Sequence, residues 1–320
     1  MKVLVTATSF KAEDNSPALQ YSLDRLKTFA DEIVFNPYGR PLVEDELAVL
    51  LPGCAGYIAG LDFVTKKALE AACTLRVISR YGVGYERVDI AAAHEKGIVV
   101  CNTPGANSQA VADLTFALIL AVARKVPALD RDTKAGKWTR SIGIELYGKT
   151  IGILGLGAVG KAVARRAQGF SMKVLAYDPF INADYAQGII ITGFDTVIQE
   201  ADIICLHMPL TGETWGIISG NVMKRMKKGA ILINTARGGL LDEAAACELL
   251  KAGHLGGLGL DTYEEEPPHA SPLFELDNVV LTPHSASHTA EATANMASMA
   301  VDNLITVLSG QPCSYIVGSN

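Results

Sequence analysis

The stretch TIGILGLGAVGKAVARRA, residues 150–167, constrains this chain more than any other. An apolar run leads into Gly155-x-Gly157-x-x-Gly160. Small residues follow (Ala158, Ala162, Ala164), and a second apolar run, MKVLAYD, ends in Asp178, 18 residues after Gly160. Gly155 lets a strand turn tightly, Gly157 lets the backbone approach a pyrophosphate, and Gly160 lets helix and strand pack closely. The start of the helix offers N–H groups and a partial positive charge to phosphates. A carboxylate at Asp178 accepts hydrogen bonds from ribose hydroxyls and repels a 2′-phosphate, so NAD is expected rather than NADP. Three glycines alone would mark only a strand–helix turn, and Asp178 alone only a turn residue before Pro179. Strand, helix, spacing and acid together read as a dinucleotide site. Arg165 and Arg166 are expected on the solvated face of the helix.

The rest of the chain alternates short apolar runs with helical segments, the pattern of parallel strands joined by crossover helices. KVLVT, GYIAG, LRVIS and IVVC read as strands in the first hundred residues. Helices are expected over 17–30, from a Thr65 cap through Ala72, and from about Asp89 to Lys96. A long apolar helix covers 110–124, followed by nearly thirty polar residues read as an irregular arm. Strands recur at TIGILG, MKVLAYD, ADIICLH, GAILINTA, LGGLGLDTY and NVVLTPH, and a last helix runs from Thr289 to Leu308. At 320 residues the chain suits about two domains, with a break near residue 100.

A net charge of −6 gives no support to nucleic-acid binding. The longest apolar helix falls far short of the roughly 20 residues that cross a bilayer. The apolar run at the N-terminus is too short for a signal-peptide core, so a cytoplasmic protein is expected. Cys54, Cys73, Cys101, Cys205, Cys247 and Cys313 form no CxxC pair and read as small buried hydrophobes.

Three polar residues stand after strands, at the edge where open α/β sheets bind ligands. Arg237 follows ILINTA, Glu266 lies in EEEPP after LGLDTY, and His284 follows VVLTP. A guanidinium can grip a carboxylate and polarise a carbonyl. An imidazolium can protonate the carbonyl oxygen as hydride arrives, and a carboxylate partner would orient the ring and favour its charged form. His284 and His288 are four residues apart, but a metal reading lacks a third ligand nearby. His288 is expected to cap or begin the last helix. His94, His254 and His269 are expected at the surface, and His207 to contribute position rather than protons.

The motifs SRYGVGYERVDI, GILGLGAVG, LHMPLTGET, INTARGGLLDE, GLDTYEEEP and LTPH, in this order, make the chain resemble the D-isomer-specific 2-hydroxyacid dehydrogenase family. The resemblance covers nearly the whole chain. It implies two Rossmann/flavodoxin-like parallel-sheet α/β domains with a cleft between them. Residues 1–100 and 288–320 would form a discontinuous substrate domain, and 101–287 the NAD-binding domain. Arg237 resembles the substrate-binding arginine, Glu266 the carboxylate that pairs with the catalytic histidine, and His284 the acid/base. Glu264 and Glu265 are then a solvated pair. Val83 and Gly84 resemble the backbone donors to the substrate carboxylate. Asp261 resembles the acceptor for the nicotinamide amide. Cofactor contacts are implied for Gly155, Gly157, Ala158, Val159, Gly160 and Asp178. They are implied also for His207, Pro209 and Thr214 of the HMP turn, and for Thr235 and Ala236. A homodimer through the NAD-binding domain, partly by the 125–148 arm, is implied too.

The implied activity is hydride transfer between NAD(H) and C2 of a small 2-hydroxy or 2-oxo acid. Members acting on 3-phosphoglycerate tend to carry an arginine near AGLDFVTKKAL. Asp62 stands about there and would repel phosphate, which favours glyoxylate or hydroxypyruvate over D-3-phosphoglycerate. Arg80 and Lys66 are the cations that would compensate. Glu86, Arg87 and Asp113 depart from the family pattern without loss of an acid. The chain ends at Asn320, so a regulatory ligand-binding domain is not expected. The same fold serves NAD-sensing corepressors, a reading that the compact chain disfavours. Formate enzymes pair glutamine with the histidine, where this chain has Glu266.

Overall fold

The computed structural model describes residues 1–11, 17–181 and 188–318. The chain divides into two compact units, Met1–Asn107 with His288–Asn320, and Ser108–Ser287. The first unit thus runs past residue 100 to Asn107, and the long apolar helix opens the second.

The first unit is built on five parallel strands: β1 (Lys2–Val5), β2 (Glu32–Phe35), β3 (Cys54–Ala59), β4 (Val77–Arg80) and β5 (Val99–Cys101). Their order is β2-β1-β3-β4-β5, the flavodoxin-like arrangement. Apolar clusters lie on both faces. One packs Leu47, Leu69 and Ala93 against the sheet, and the other packs Leu23 and Leu26 with Ala297, Val301 and Leu304 of the last helix. That helix, Ala290–Leu308, starts at Thr289, whose side chain accepts from Ala292 N–H. Such a cap is worth about 1 kcal/mol. Thr289, not His288, is therefore the cap, and His288 is exposed just before it. Thr65 and Asp89 cap their helices in the same way.

The second unit holds seven parallel strands: β6 (Thr150–Leu154), β7 (Lys173–Tyr177), β8 (Ile189–Ile191), β9 (Ile203–Leu206), β10 (Ala230–Asn234), β11 (Leu255–Leu260) and β12 (Val279–Leu281). The order is β12-β11-β10-β9-β6-β7-β8. Central strands such as β9 and β10 are buried along their whole length, because helices cover both faces of a parallel sheet. The order reverses at β6, and the crevice at such a switch point is where ligands bind.

Several elements differ from the sequence expectation, the helix Glu44–Leu50 among them. Strands β2 and β8 are short edge strands with no fully buried residue, so their apolar signal is weak. Within the arm read as irregular, Val126–Lys134 is helical. Lys125 adopts a left-handed φ of 55°, which ends the preceding helix, and Pro127 in the first turn starts the next. No residue of this helix is buried, so it carries no core-facing stripe to read. No helix among the described residues is long and apolar enough to cross a membrane.

Candidate functional site

The carboxyl ends of the second unit's strands carry the site in spatial order. His284 follows β12, Asp261 and Glu266 follow β11, Arg237 follows β10, His207 follows β9, Gly155 follows β6, and Asp178 follows β7.

The His284 end is built around two carboxylates. His284 Nδ1 lies 2.9 and 3.0 Å from the two Glu266 oxygens, with both side chains partly buried. A carboxylate only accepts, so Nδ1–H is the donor. Glu264 and Glu265 are exposed, and Glu266 is the glutamate that turns inward. His284 has a φ of 50°, a left-handed conformation that costs an L-residue about 1–2 kcal/mol. Such strain persists only where the surroundings hold it, and here Asp261 does. Its Oδ1 accepts from Thr282 Oγ1 at 2.6 Å and Ser285 N–H at 2.8 Å, and its Oδ2 accepts from Ala286 N–H at 2.9 Å. Asp261 is fully buried. The structure thus engages it in holding the His284 loop.

Arg237 is set by Asn234, fully buried at the end of β10. Asn234 Oδ1 accepts from Ala236 N–H at 3.0 Å, and its Nδ2 donates to the Arg237 carbonyl at 2.7 Å. Arg237 also donates to the Ala236 carbonyl at 2.6 Å. A Cβ on Gly238 would come within 1.9 Å of the Tyr263 carbonyl carbon. Only glycine lets the Arg237 turn lie this close to the chain leading to Glu266. Sequence reading missed Asn234, Gly238, Thr282 and the Ser285–Ala286 backbone. They carry no chemistry, and only the contacts between loops reveal them.

The dinucleotide end matches its motif. Gly155 has a φ of 96°, and a Cβ there would meet the His207 carbonyl at 2.6 Å. A Cβ on Gly160 would meet the Gly155 carbonyl oxygen at 2.1 Å. A Cβ on Gly157 would meet nothing within 4 Å. That leaves an open approach to the N-terminus of the helix Ala158–Gly169, as a pyrophosphate requires. Asp178 accepts from Leu156 N–H at 2.8 Å and Phe180 N–H at 2.9 Å, tying the glycine turn to β7. A carboxylate has about four acceptor positions, so capacity for ribose hydroxyls remains. His207 Nε2 and Thr262 Oγ1 are buried at this edge with no hydrogen-bond partner among the described residues. The open face at Gly157 and these two polar atoms fit a bound dinucleotide.

The remaining residues named from the sequence are held by contacts within their own unit. Thr214 closes its own turn, donating to the Pro209 carbonyl at 2.7 Å and accepting from Thr211 N–H. The Thr235 hydroxyl is buried against Thr115 Oγ1 at 2.9 Å. Arg166 is not simply solvated, since it pairs with Asp113 and ties two helices together. In the first unit, Asp62 is buried and does not face solvent. Its oxygens accept from Tyr57 Oη at 2.7 Å, Leu42 N–H at 2.6 Å, Gly60 N–H and Thr6 Oγ1. Contrary to the sequence expectation, Asp62 is therefore spent on its own loop and gives no ground for excluding a substrate phosphate. Arg80 is likewise internal, donating to the carbonyls of Ala59 and Tyr81. Asn102 Nδ2 donates to the Val83 carbonyl at 2.8 Å, and Thr103 Oγ1 accepts from Gly82 N–H. These two residues hold the GVG loop.

Residues 116–286 match the model of the D-isomer specific 2-hydroxyacid dehydrogenase NAD binding domain. The chain is 46% identical over 254 residues to a D-3-phosphoglycerate dehydrogenase of Archaeoglobus fulgidus, a match covering 78% of this chain and 48% of that protein. It is 42% identical over 259 residues to a glyoxylate reductase of Korarchaeum cryptofilum, covering 78% of each. The chain thus spans about half the length of the first relative and most of the second. The crystal structure of the TT0316 protein from Thermus thermophilus is similar with a TM-score of 0.88 at 37% identity, covering 99% of this chain and 100% of that one. The chain belongs to the D-isomer specific 2-hydroxyacid dehydrogenase family. Its second unit carries that family's NAD-binding domain, with NAD as the cofactor.

Two outcomes follow from this geometry. Asp261→Asn places an amide N–H against a backbone N–H, and the expected loss is about 1–3 kcal/mol in urea denaturation. Unchanged stability would contradict the role given to Asp261. Burial pulls the His207 pKa down from 6.5 to about 3. The unfolded ring therefore takes up a proton that the folded ring refuses, and stability falls as pH drops from about 6.5 toward 3. In His207→Asn the melting temperature should fall less steeply with acid. An identical acid limb would rule this out.

Proposed function

We propose that this protein is an NAD-dependent oxidoreductase interconverting a small 2-oxo acid and its D-2-hydroxy acid, with substrates of the glyoxylate or hydroxypyruvate type. The observation that carries the reading is the contact of His284 Nδ1 with both Glu266 oxygens, beside an arginine turn packed on the same loop through Gly238. When bound, the cofactor supplies or accepts the hydride at C2. With Nδ1–H given to Glu266, His284 has Nε2 to hand a proton to the C2 oxygen, or to take it back in oxidation. Arg237 binds the substrate oxygens and polarises the carbonyl. Val83 and Gly84 donate backbone N–H groups to the substrate carboxylate. The turn from Gly155 to Gly160, with the N–H groups of Ala158 and Val159, takes the pyrophosphate, and Asp178 takes the adenosine ribose. His207 and Pro209, with Thr235 and Ala236, line the cofactor by their backbone.

The match along most of the length of a glyoxylate reductase supports the substrate class. D-3-phosphoglycerate stands as the second reading, favoured by the 46% identity to a protein of that name and no longer opposed by Asp62. The NAD-sensing corepressor reading stands as the alternative of another class, since such a protein can retain the same histidine–glutamate pair. A homodimer through the second unit is part of the proposal. It is supported by Trp138, Ile142 and Tyr147, exposed by 82%, 92% and 76% on the arm, large apolar side chains of the kind an interface covers. A cytoplasmic location goes with the same reading.

His284→Ala should lower kcat by about 10²–10⁴ while the Kd for NADH, measured by fluorescence titration, stays the same. Normal turnover in that variant would refute the assignment.

A further inference from the structure

The segment following the last helix runs antiparallel beside β5, an edge strand of the first unit's sheet. Asn102 N–H donates to the Tyr315 carbonyl at 3.1 Å, Val317 N–H donates to the Val100 carbonyl at 2.8 Å, and Cys101 pairs with Ile316. This covers backbone groups that an edge strand would leave open. It also brings two thiols together, with Cys101 Sγ 3.5 Å from Cys313 Sγ. Neither is bonded in a disulfide. Cys101 is buried, and Cys313 is partly exposed.

The pair is wired to the GVG loop. Cys313 Sγ–H donates to Asn303 Oδ1 at 3.5 Å, and Cys101 Sγ–H then donates to Cys313. Asn303, buried on the last helix, donates through Nδ2 to the Asn102 carbonyl at 2.9 Å. Asn102 donates in turn to the Val83 carbonyl. Two amides therefore separate the thiols from the loop that holds Val83 and Gly84.

We propose that Cys101 and Cys313 are a thiol-modification site at which a small-molecule disulfide drives an intramolecular disulfide that fixes the C-terminal segment to β5 and shifts the Val83 loop. Cys313, the more exposed of the two residues, attacks as its thiolate one sulfur of the small disulfide and expels the first small thiolate. The Cys101 sulfur, giving up its proton, then attacks the Cys313 sulfur and expels the second. Two protein thiols lose two electrons and two protons, and one small disulfide becomes two thiols. Bond formation shortens the sulfur separation by about 1.5 Å, within reach of side-chain rotation on paired backbone. It removes the S–H that Asn303 Oδ1 accepts, which frees the first link of the wire. Burial and the neighbouring thiol push the Cys101 thiol up, so the second step quickens as pH rises.

The test uses the full chain with Cys73→Ser, which removes the exposed thiol, treated with oxidised glutathione. Expected are the loss of two thiols, a peptide crosslink between Cys101 and Cys313 by mass, and reversal by dithiothreitol. Amide exchange should slow at 315–317 and change at 82–84. In Cys313→Ser the Cys101 thiol should stay reduced. A glutathione adduct that persists on Cys313, a crosslink elsewhere or no reaction would overturn the site. A crosslink that leaves exchange at 82–84 unchanged would overturn the link to the loop. These readouts do not depend on the catalytic reading. If that reading holds as well, oxidation also raises the KM for the 2-oxo acid with NADH affinity unchanged.

Discussion

The buried carboxylate of Asp261 is the constraint on which the His284 end of the site depends. It accepts from the Thr282 hydroxyl and from the amides of Ser285 and Ala286, on both sides of a histidine in a left-handed conformation. Hydrogen bonds to a charged group are worth about 1.5–3 kcal/mol each, against about 1–2 kcal/mol for the backbone conformation. The carboxylate therefore outweighs the strain. It gives His284 one backbone direction, and Glu266 fixes the ring. The His284 backbone and ring are thus both held in place.

The same logic runs along the sheet. Adjacent strands stand about 4.8 Å apart, so the order β12-β11-β10-β9-β6-β7 spaces the side chains by topology. The histidine and its carboxylates sit at one end, the arginine one strand further, and the glycine turn and Asp178 beyond. Glycines join neighbouring loops where a Cβ would not fit. Gly155 lies against the His207 carbonyl, Gly160 against Gly155, and Gly238 against Tyr263. The chemistry-bearing residues are few, and the groups that place them are mostly backbone.

What the sequence disclosed follows from how local each signal is. The glycine turn is one continuous strand–turn–helix, so its three tasks can be read without a fold, and the structure assigns the close contacts to Gly155 and Gly160 and the open face to Gly157. Choosing Glu266 from three consecutive glutamates needed the family pattern, because which one turns inward depends on β12. Asp62 misled because a carboxylate in a loop reads as exposed, whereas Thr6, Tyr57 and the backbone of residues 42 and 60 enclose it. The hold of Asp261 on the His284 loop was not readable, since that loop lies more than 20 residues along the chain. Cys313 read as an ordinary small hydrophobe. Its partner lies 212 residues away, a separation no spacing rule spans.

The decisive measurement is NADH oxidation by the purified protein against glyoxylate, hydroxypyruvate, pyruvate, 2-oxoglutarate and 3-phosphohydroxypyruvate. Turnover is expected, with glyoxylate or hydroxypyruvate giving the highest kcat/KM. A value for 3-phosphohydroxypyruvate far above the rest would replace the substrate class while keeping the mechanism. NADH binding with no turnover of any 2-oxo acid would contradict the roles given to His284, Glu266 and Arg237.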